Sequence, residues 1–203
     1  GATRHWVKGL KIIMPNGYYI DCKRGQYLSH ESKFFLNDKE LCLPQYKRPK
    51  IKNASGPYTC YDEEIDFVDF IIGSEGIFGL ITMCTFNLDL KSKEYLDLFI
   101  VLDSEDSAIK FYYYLSEILG GELSKVTALE YFGYNAQKYL KNRDYFFKNE
   151  SDVGIYLQIP LYNKSIEQGC ESWFEILSKS NCNIEMDNIF VLNDKKSWDL
   201  FFE

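Results

Sequence analysis

The sequence predicts an α+β protein built from two consecutive segments. Three observations carry that expectation. The first is a change of charge along the chain: residues 1–60 hold 11 Lys and Arg against 4 Asp and Glu, whereas residues 61–203 hold 12 against 26, giving a net charge of −7. The second is the strong hairpin signature near the start. The third is the order of periodicities after residue 91, which reads strand, helix, strand, then strand, helix, strand. That order predicts a ferredoxin-like antiparallel sheet with helices packed on it. The segment boundary falls at residue 90, so residues 1–90 and 91–203 are expected to form separate layers.

The elements follow in order. Residues 10–14 are an apolar run and residues 18–22 alternate; between them Pro15, Asn16 and Gly17 supply turn chemistry, since Asn and Gly tolerate positive φ. From residue 23 to 59 no clean period appears, and a short helix is expected around residues 29–36. In "DEEIDFVDF", residues 62–70, the pairs Ile65 with Val68 and Phe67 with Phe70 have helical spacing. The leading acids suit a helix N-terminus, although Ile65 and Phe67 also fit a strand. Residues 80–88 read as a strand.

Residues 95–102 predict the next strand. Asp103 or Ser104 can cap a helix with Glu105 and Asp106 in its first turn, and Ala108, Phe111, Tyr112, Leu115, Ile118 and Leu119 share one face. Gly120 and Gly121 end it. Residues 124–129 predict a strand leading into a helical stretch through Leu140. Residues 153–161 predict another strand. Ile166, Cys170, Trp173, Phe174 and Leu177 mark a second amphipathic helix, residues 188–192 a last strand, and "DKKSWDLFFE" the start of a helix.

Composition narrows the function classes. Apolar residues make up 46% and charged residues 26%, an ordinary globular balance for one large domain or two modest ones. No run approaches the ~18 apolar residues of a membrane span. The six cysteines form no CxxC pair and there are two histidines, His5 and His30, which argues against a zinc site and for free buried thiols. "YKRPKIK", residues 46–52, is the densest basic stretch. The net acidity argues against a nucleic acid as the partner.

The stretch "IIGSEGIFGLIT", residues 71–82, places Gly73, Gly76 and Gly79 three residues apart. Glycine inside a strand-like run marks close approach of something to the backbone. GSEGIFG is GxxGxxG and precedes a strand, so it is not the GxGxxG turn of a Rossmann dinucleotide site. Bare backbone can still lie against a flat ring or a pyrophosphate, with N–H groups as donors.

Residues 52–88, "KNASGPYTCYDEEIDFVDFIIGSEGIFGLITMCTFNL", resemble the FAD-linked oxidases of the vanillyl-alcohol-oxidase type, with their PCMH-type FAD-binding domain. This family includes D-lactate, glycolate and 2-hydroxyglutarate dehydrogenases and alkyldihydroxyacetonephosphate synthase. Lys52, Asn53 and Gly56 fit the family's Lys-Asn-x-x-Gly stretch, and Gly73, Ser74, Glu75, Gly76, Gly79, Ile81 and Thr82 fit its GSEGTLGIIT. Upstream, residues 1–21 resemble the family's run into a Pro-x-Gly turn. Downstream, "VTALEYF" and "SWDLFFE" resemble elements of its C-terminal domain. Ile77, Phe78 and Met83 depart from the usual Thr, Leu and Glu.

The resemblance implies that residues 1–90 are the second part of an FAD-binding domain and 91–203 an incomplete substrate, or cap, domain. The family's pyrophosphate loop and His-rich segment have no counterpart among the 203 residues, so an internal fragment is expected, inactive and without FAD when isolated. In the intact protein the resemblance implies FAD as cofactor. The flavin is then lined by Asn53, Ala54, Gly56, Gly73, Ser74, Glu75, Gly76, Gly79, Leu80 and Ile81. It implies a cytoplasmic oxidoreductase, or one peripheral to the inner membrane, acting on a small 2-hydroxy acid or related alcohol with an unidentified electron acceptor. No catalytic residue is assigned. His5, His30 and Glu130 are candidates by type, and each also reads as an ordinary structural or surface residue. A homo-oligomer is compatible with this reading. The alternatives are alkyl transfer by a synthase-like relative and a non-catalytic ligand-binding module on the same scaffold.

Overall fold

The structure is a computed structural model of the 203-residue chain and describes residues 3–44, 46 and 64–202. The chain divides into two compact units, Gly1–Leu90 and Lys91–Glu203.

In the first unit a short 3-10 turn, Thr3–Trp6, leads into β1 (Val7–Ile13), which turns through Gly17 into β2 (Tyr19–Lys23). The expected hairpin is present, with Ile12 opposite Ile20 and Leu10 opposite Cys22. β3 (Lys33–Leu36) and β4 (Lys39–Cys42) form a second hairpin. This corrects the helix expected around residues 29–36. Phe34 and Leu36 are buried and Phe35 between them is exposed, an alternation only a strand gives. Asn37 at φ 57° makes the turn. α1 (Phe67–Ile71) starts later than the acids suggested, because Ile65 is held extended by the Ser29 side chain and backbone, at 2.9 Å each. β5 (Leu80–Phe86) then pairs with β1, giving the order β2-β1-β5. The core joins Leu10, Ile12 and Ile20 to Phe34, Phe67 and Phe70.

The second unit carries a four-stranded antiparallel sheet in the order β7-β8-β6-β9. The strands are β6 (Tyr95–Leu102), β7 (Ala128–Phe132), β8 (Val153–Pro160) and β9 (Ile189–Val191), and the helices between them are α2 (Glu105–Ile118) and α4 (Ile166–Ser178). In strand sequence this order is 2-3-1-4, the ferredoxin-like topology that the periodicities predicted. Ser104 caps α2, and Ser165 with Gln168 forms a capping box on α4. Leu96, Leu98, Ile100 and Leu102 of β6 face Phe111 and Leu115 of α2 and Trp173 and Leu177 of α4.

The opposite sheet face is covered as well. Phe99 packs against Phe146, Phe147 and Phe201, with ring centroids 4.6–5.8 Å apart. Those rings come from the short α3 (Arg143–Phe146), the residue following it, and α5 (Lys195–Phe202). Two expectations shift here. The strand expected at 124–129 is a 3-10 turn followed by β7. The helical stretch through Leu140 is a 3-10 segment, Tyr134–Tyr139.

Among the described residues no cysteine is bridged. Cys22 and Cys182 are buried, but Cys42 and Cys84 are exposed, which corrects the expectation of uniformly buried thiols. Cys60 lies outside the described residues. Among the described residues no helix is long and apolar enough to cross a membrane, and no group of three or more side chains could hold a metal.

Candidate functional site

The glycine segment is positioned by α1. Asp66 caps that helix: one carboxylate oxygen accepts the Val68 N–H at 2.8 Å and the other accepts the Gly25 N–H. Phe67, Val68, Phe70 and Ile71 then face the core. At the other end, the exposed C-terminal carbonyls, a helix's normal unsatisfied acceptors, are taken by Arg4, which donates to the carbonyls of Asp69 and Ile72. The Asp69 carboxylate grips Arg24 through two bonds of 2.7 and 2.9 Å, and Arg24 also donates to the carbonyls of Val7 and Arg4. A bidentate guanidinium–carboxylate pair fixes direction as well as distance. Two arginines and one aspartate thus tie α1 to the start of β1.

The chain leaves α1 through consecutive tight turns: Ser74 N–H to Ile71, Ile77 N–H to Ser74 and Gly79 N–H to Gly76, at 3.1–3.3 Å. Gly73 and Gly76 have φ near +80° and Glu75 has φ 52°, the left-handed region that favours glycine. Phe78 anchors the turn by stacking on Phe70, centroids 4.3 Å apart, while Ile77 points outward.

The three glycines serve different ends. At Gly79 the close approach is internal: a Cβ there would collide with the Ile13 carbonyl oxygen and stand 3.1 Å from Met14 Cα. At Gly73 the nearest atom is Arg4 Nη2 at 3.7 Å. Among the described residues, nothing lies within 4 Å of a Cβ placed at Gly76. Among the described residues, the N–H groups of Glu75, Gly76 and Phe78 have no backbone acceptor. Beside them Ile77, Leu80 and Ile81 are exposed, and all seven residues of β5 are open to solvent. Bare backbone, donors without a backbone acceptor and exposed apolar side chains thus occur together among the described residues, features that suit a planar ring with polar edges. The residues present therefore fit a flavin at Gly76, whereas Gly79 is accounted for by packing.

The other sequence candidates fall as follows. Gly73, Ser74, Glu75, Gly76, Gly79, Leu80 and Ile81 are contiguous in space through the turn and β5; Ser74 is buried and Glu75 exposed. Asn53, Ala54 and Gly56 lie outside the described residues, as does most of the basic stretch 46–52. His5 and His30 are exposed, and His30 sits 3.9 Å from Glu31. Tyr112 and Tyr113 are exposed, and Tyr114 donates to the Ile176 carbonyl at 2.7 Å.

The second unit contains a polar cluster that sequence reasoning missed. On the sheet face opposite α2 and α4, Asp97 of β6 accepts from the Tyr156 hydroxyl at 2.5 Å and from Gln158 Nε2 at 3.0 Å. Glu130 of β7 stands opposite Tyr156 in the register and is exposed. Burial, then the hydrogen bond to Asp97, push the Tyr156 hydroxyl well above its ordinary pKa of 10.0. The available signal was a lone carboxylate, Asp97, inside the apolar run "YLDLFIVL": a charge at such a position needs partners.

No family model and no curated protein matches the chain. Solved structures do match. One of alkyldihydroxyacetonephosphate synthase, in space group P212121, aligns with a TM-score of 0.53 at 14% identity over 98% of this chain and 31% of the other. A second, in P1, gives 0.52 at 15% identity over 97% and 30%. The chain therefore spans about a third of the length of the structures it matches. At such identities the likeness establishes fold alone: the chain has a mixed α/β architecture with antiparallel sheets, like part of those structures.

Proposed function

We propose that the chain is part of an FAD-dependent oxidoreductase, with residues 1–90 lining the flavin and residues 91–203 forming the substrate side. The observation that carries this reading is Gly76, a left-handed glycine that faces open space among the described residues, where the N–H groups of Glu75, Gly76 and Phe78 have no backbone acceptor. Residues 73–77 would present backbone to the isoalloxazine ring, and Leu80, exposed at the start of β5, would give it an apolar contact. Asn53, Ala54 and Gly56 complete the set by family resemblance. Bound flavin supplies a hydride acceptor. This chain's own contribution is to orient it, to keep water from its apolar side, and to hold donors near its polar edge. In residues 91–203, Tyr156 gives its hydroxyl hydrogen to Asp97 and so joins β8 to β6 beneath the aromatic layer, and no residue there is assigned to the substrate. The substrate class is a 2-hydroxy acid or a related alcohol.

A second reading is alkyl transfer, favoured by the fold match to an alkyldihydroxyacetonephosphate synthase. Anaerobic titration of the full-length protein separates the two. The proposal expects a flavin absorbance band that bleaches on adding a 2-hydroxy acid. A flavin band that no hydroxy acid bleaches favours the synthase reading, and a full-length protein without flavin overturns both.

A further inference from the structure

The second unit holds an open cavity of about 650 Å³ between α2 and the edge strand β7, on the helix side of the sheet. All of its lining residues belong to the second unit. Its floor is apolar: Ala108 and Ile155 are buried and Leu129 is half-buried. Its walls are aromatic. The rings of Tyr112 and Tyr113 meet edge to face with centroids 5.6 Å apart, and Tyr131 stands opposite them on β7. Two carboxylates line it, Glu105 and Glu130, and Glu105 is the one held in place, accepting the Tyr131 hydroxyl at 2.9 Å. No lysine or arginine lines the space among the described residues.

The occupant follows from charge complementarity. The N-terminus of α2, which would otherwise attract an anion, is capped by Ser104 and already carries Glu105 and Asp106 in its first turn. An anionic ligand would meet Glu105 with no cation to offset it. A neutral apolar ligand would desolvate the carboxylate without giving it a partner. Tyrosine faces beside a carboxylate are the surroundings that hold an alkylated ammonium group, through the negative ring faces and a full counter-charge. We propose that this cavity binds an organic cation, a quaternary or alkylated ammonium head with a short apolar tail. The tail lies over Leu129 and Ile155 and the head sits between Glu105 and the tyrosine rings.

The test uses hexyltrimethylammonium, hexanol and hexanoate as probes, titrated into the protein while backbone amide shifts are followed. The expected result is saturable shifts confined to α2 and β7. Hexyltrimethylammonium should bind at least ~10-fold more tightly than hexanoate or hexanol, and Glu105→Gln or Tyr112→Ala should weaken it by about 10-fold without altering the melting temperature appreciably. Equal binding of the three probes, affinity unchanged in Glu105→Gln, shifts centred elsewhere, or no saturation would overturn the proposal. So would concentration-dependent shifts of the same residues without ligand, which would show that a second copy covers this face.

Discussion

Gly79 lies against the carbonyl of Ile13 with no room for a Cβ between them. The end of β1 therefore meets the start of β5 backbone to backbone, and Ile13 pairs directly with Leu80 in the next register position. With φ at 149°, the position combines an unfavourable dihedral with a backbone collision. Gly79→Ala should cost about 2–4 kcal/mol, read as a lower urea midpoint. A midpoint within error of wild type would show that β1 and β5 can separate freely.

Asp69 and Arg24 make the next prediction. Both side chains are less than a third exposed, and Asp69 also lies 3.8 Å from Arg4. Asp69→Ala leaves two arginines with part of their bonding lost and should destabilise by about 1–3 kcal/mol. Arg24→Lys should recover only part of the wild-type value, because an ammonium cannot reproduce the two-bond grip. Equal stability of Arg24→Lys and wild type would mean that charge alone holds α1 in place.

Much of this was legible in the sequence. The hairpin of β1 and β2 was announced by Pro15-Asn16-Gly17, and the order of the second unit by two amphipathic helices between apolar strands. The second hairpin was not, because β3 and β4 are four residues each, too short to show a period, and its turn rests on Asn37-Asp38 rather than on glycine. The aromatic layer on the far face of the second sheet was missed for another reason. Phe146, Phe147 and Phe201 come from short or terminal elements whose partners are distant in sequence. At the candidate site the glycines were visible, but their separate roles were not: spacing alone cannot distinguish the packed Gly79 from the open Gly76. The arginine clamp was invisible because its arginines stand 45 to 68 residues from the groups they hold at Asp69 and Ile72.

Thiol chemistry supplies a prediction in pH. Burial, outweighing the bond to the Leu10 carbonyl, pushes the Cys22 thiol from 9.0 up to about 11. A thiol kept neutral by the fold contributes its full stabilisation below its ordinary pKa and loses it as pH rises through the folded value. Stability should therefore fall between about pH 9 and pH 11 more steeply in wild type than in Cys22→Ala, measured as the difference in urea midpoints. At neutral pH a thiol reagent should modify Cys42 and Cys84 quickly, and Cys22 only on unfolding. Rapid labelling of Cys22 in the native protein would contradict its burial.

Asp97 and Tyr156 are predicted to act as a pair. Tyr156→Phe and Asp97→Ala should each destabilise the second unit by about 1–2 kcal/mol. The double variant should lose less than the sum, because each single change already breaks the shared bond. Strict additivity would mean that the 2.5 Å contact contributes nothing.

The central claim is that the open backbone at Gly76 faces a flavin, and one pair of variants tests it most directly. Gly25 and Gly76 are matched: φ is 84° and 82°, and among the described residues a Cβ at either meets nothing within 4 Å. A valine should therefore cost each a similar ~1–3 kcal/mol of backbone strain. The measurement is flavin bound per folded molecule in the full-length protein carrying Gly76→Val or Gly25→Val. The expected result is flavin lost from Gly76→Val and retained by Gly25→Val, with similar melting temperatures for the two. A folded Gly76→Val protein with full flavin would contradict the assignment of this turn to the cofactor.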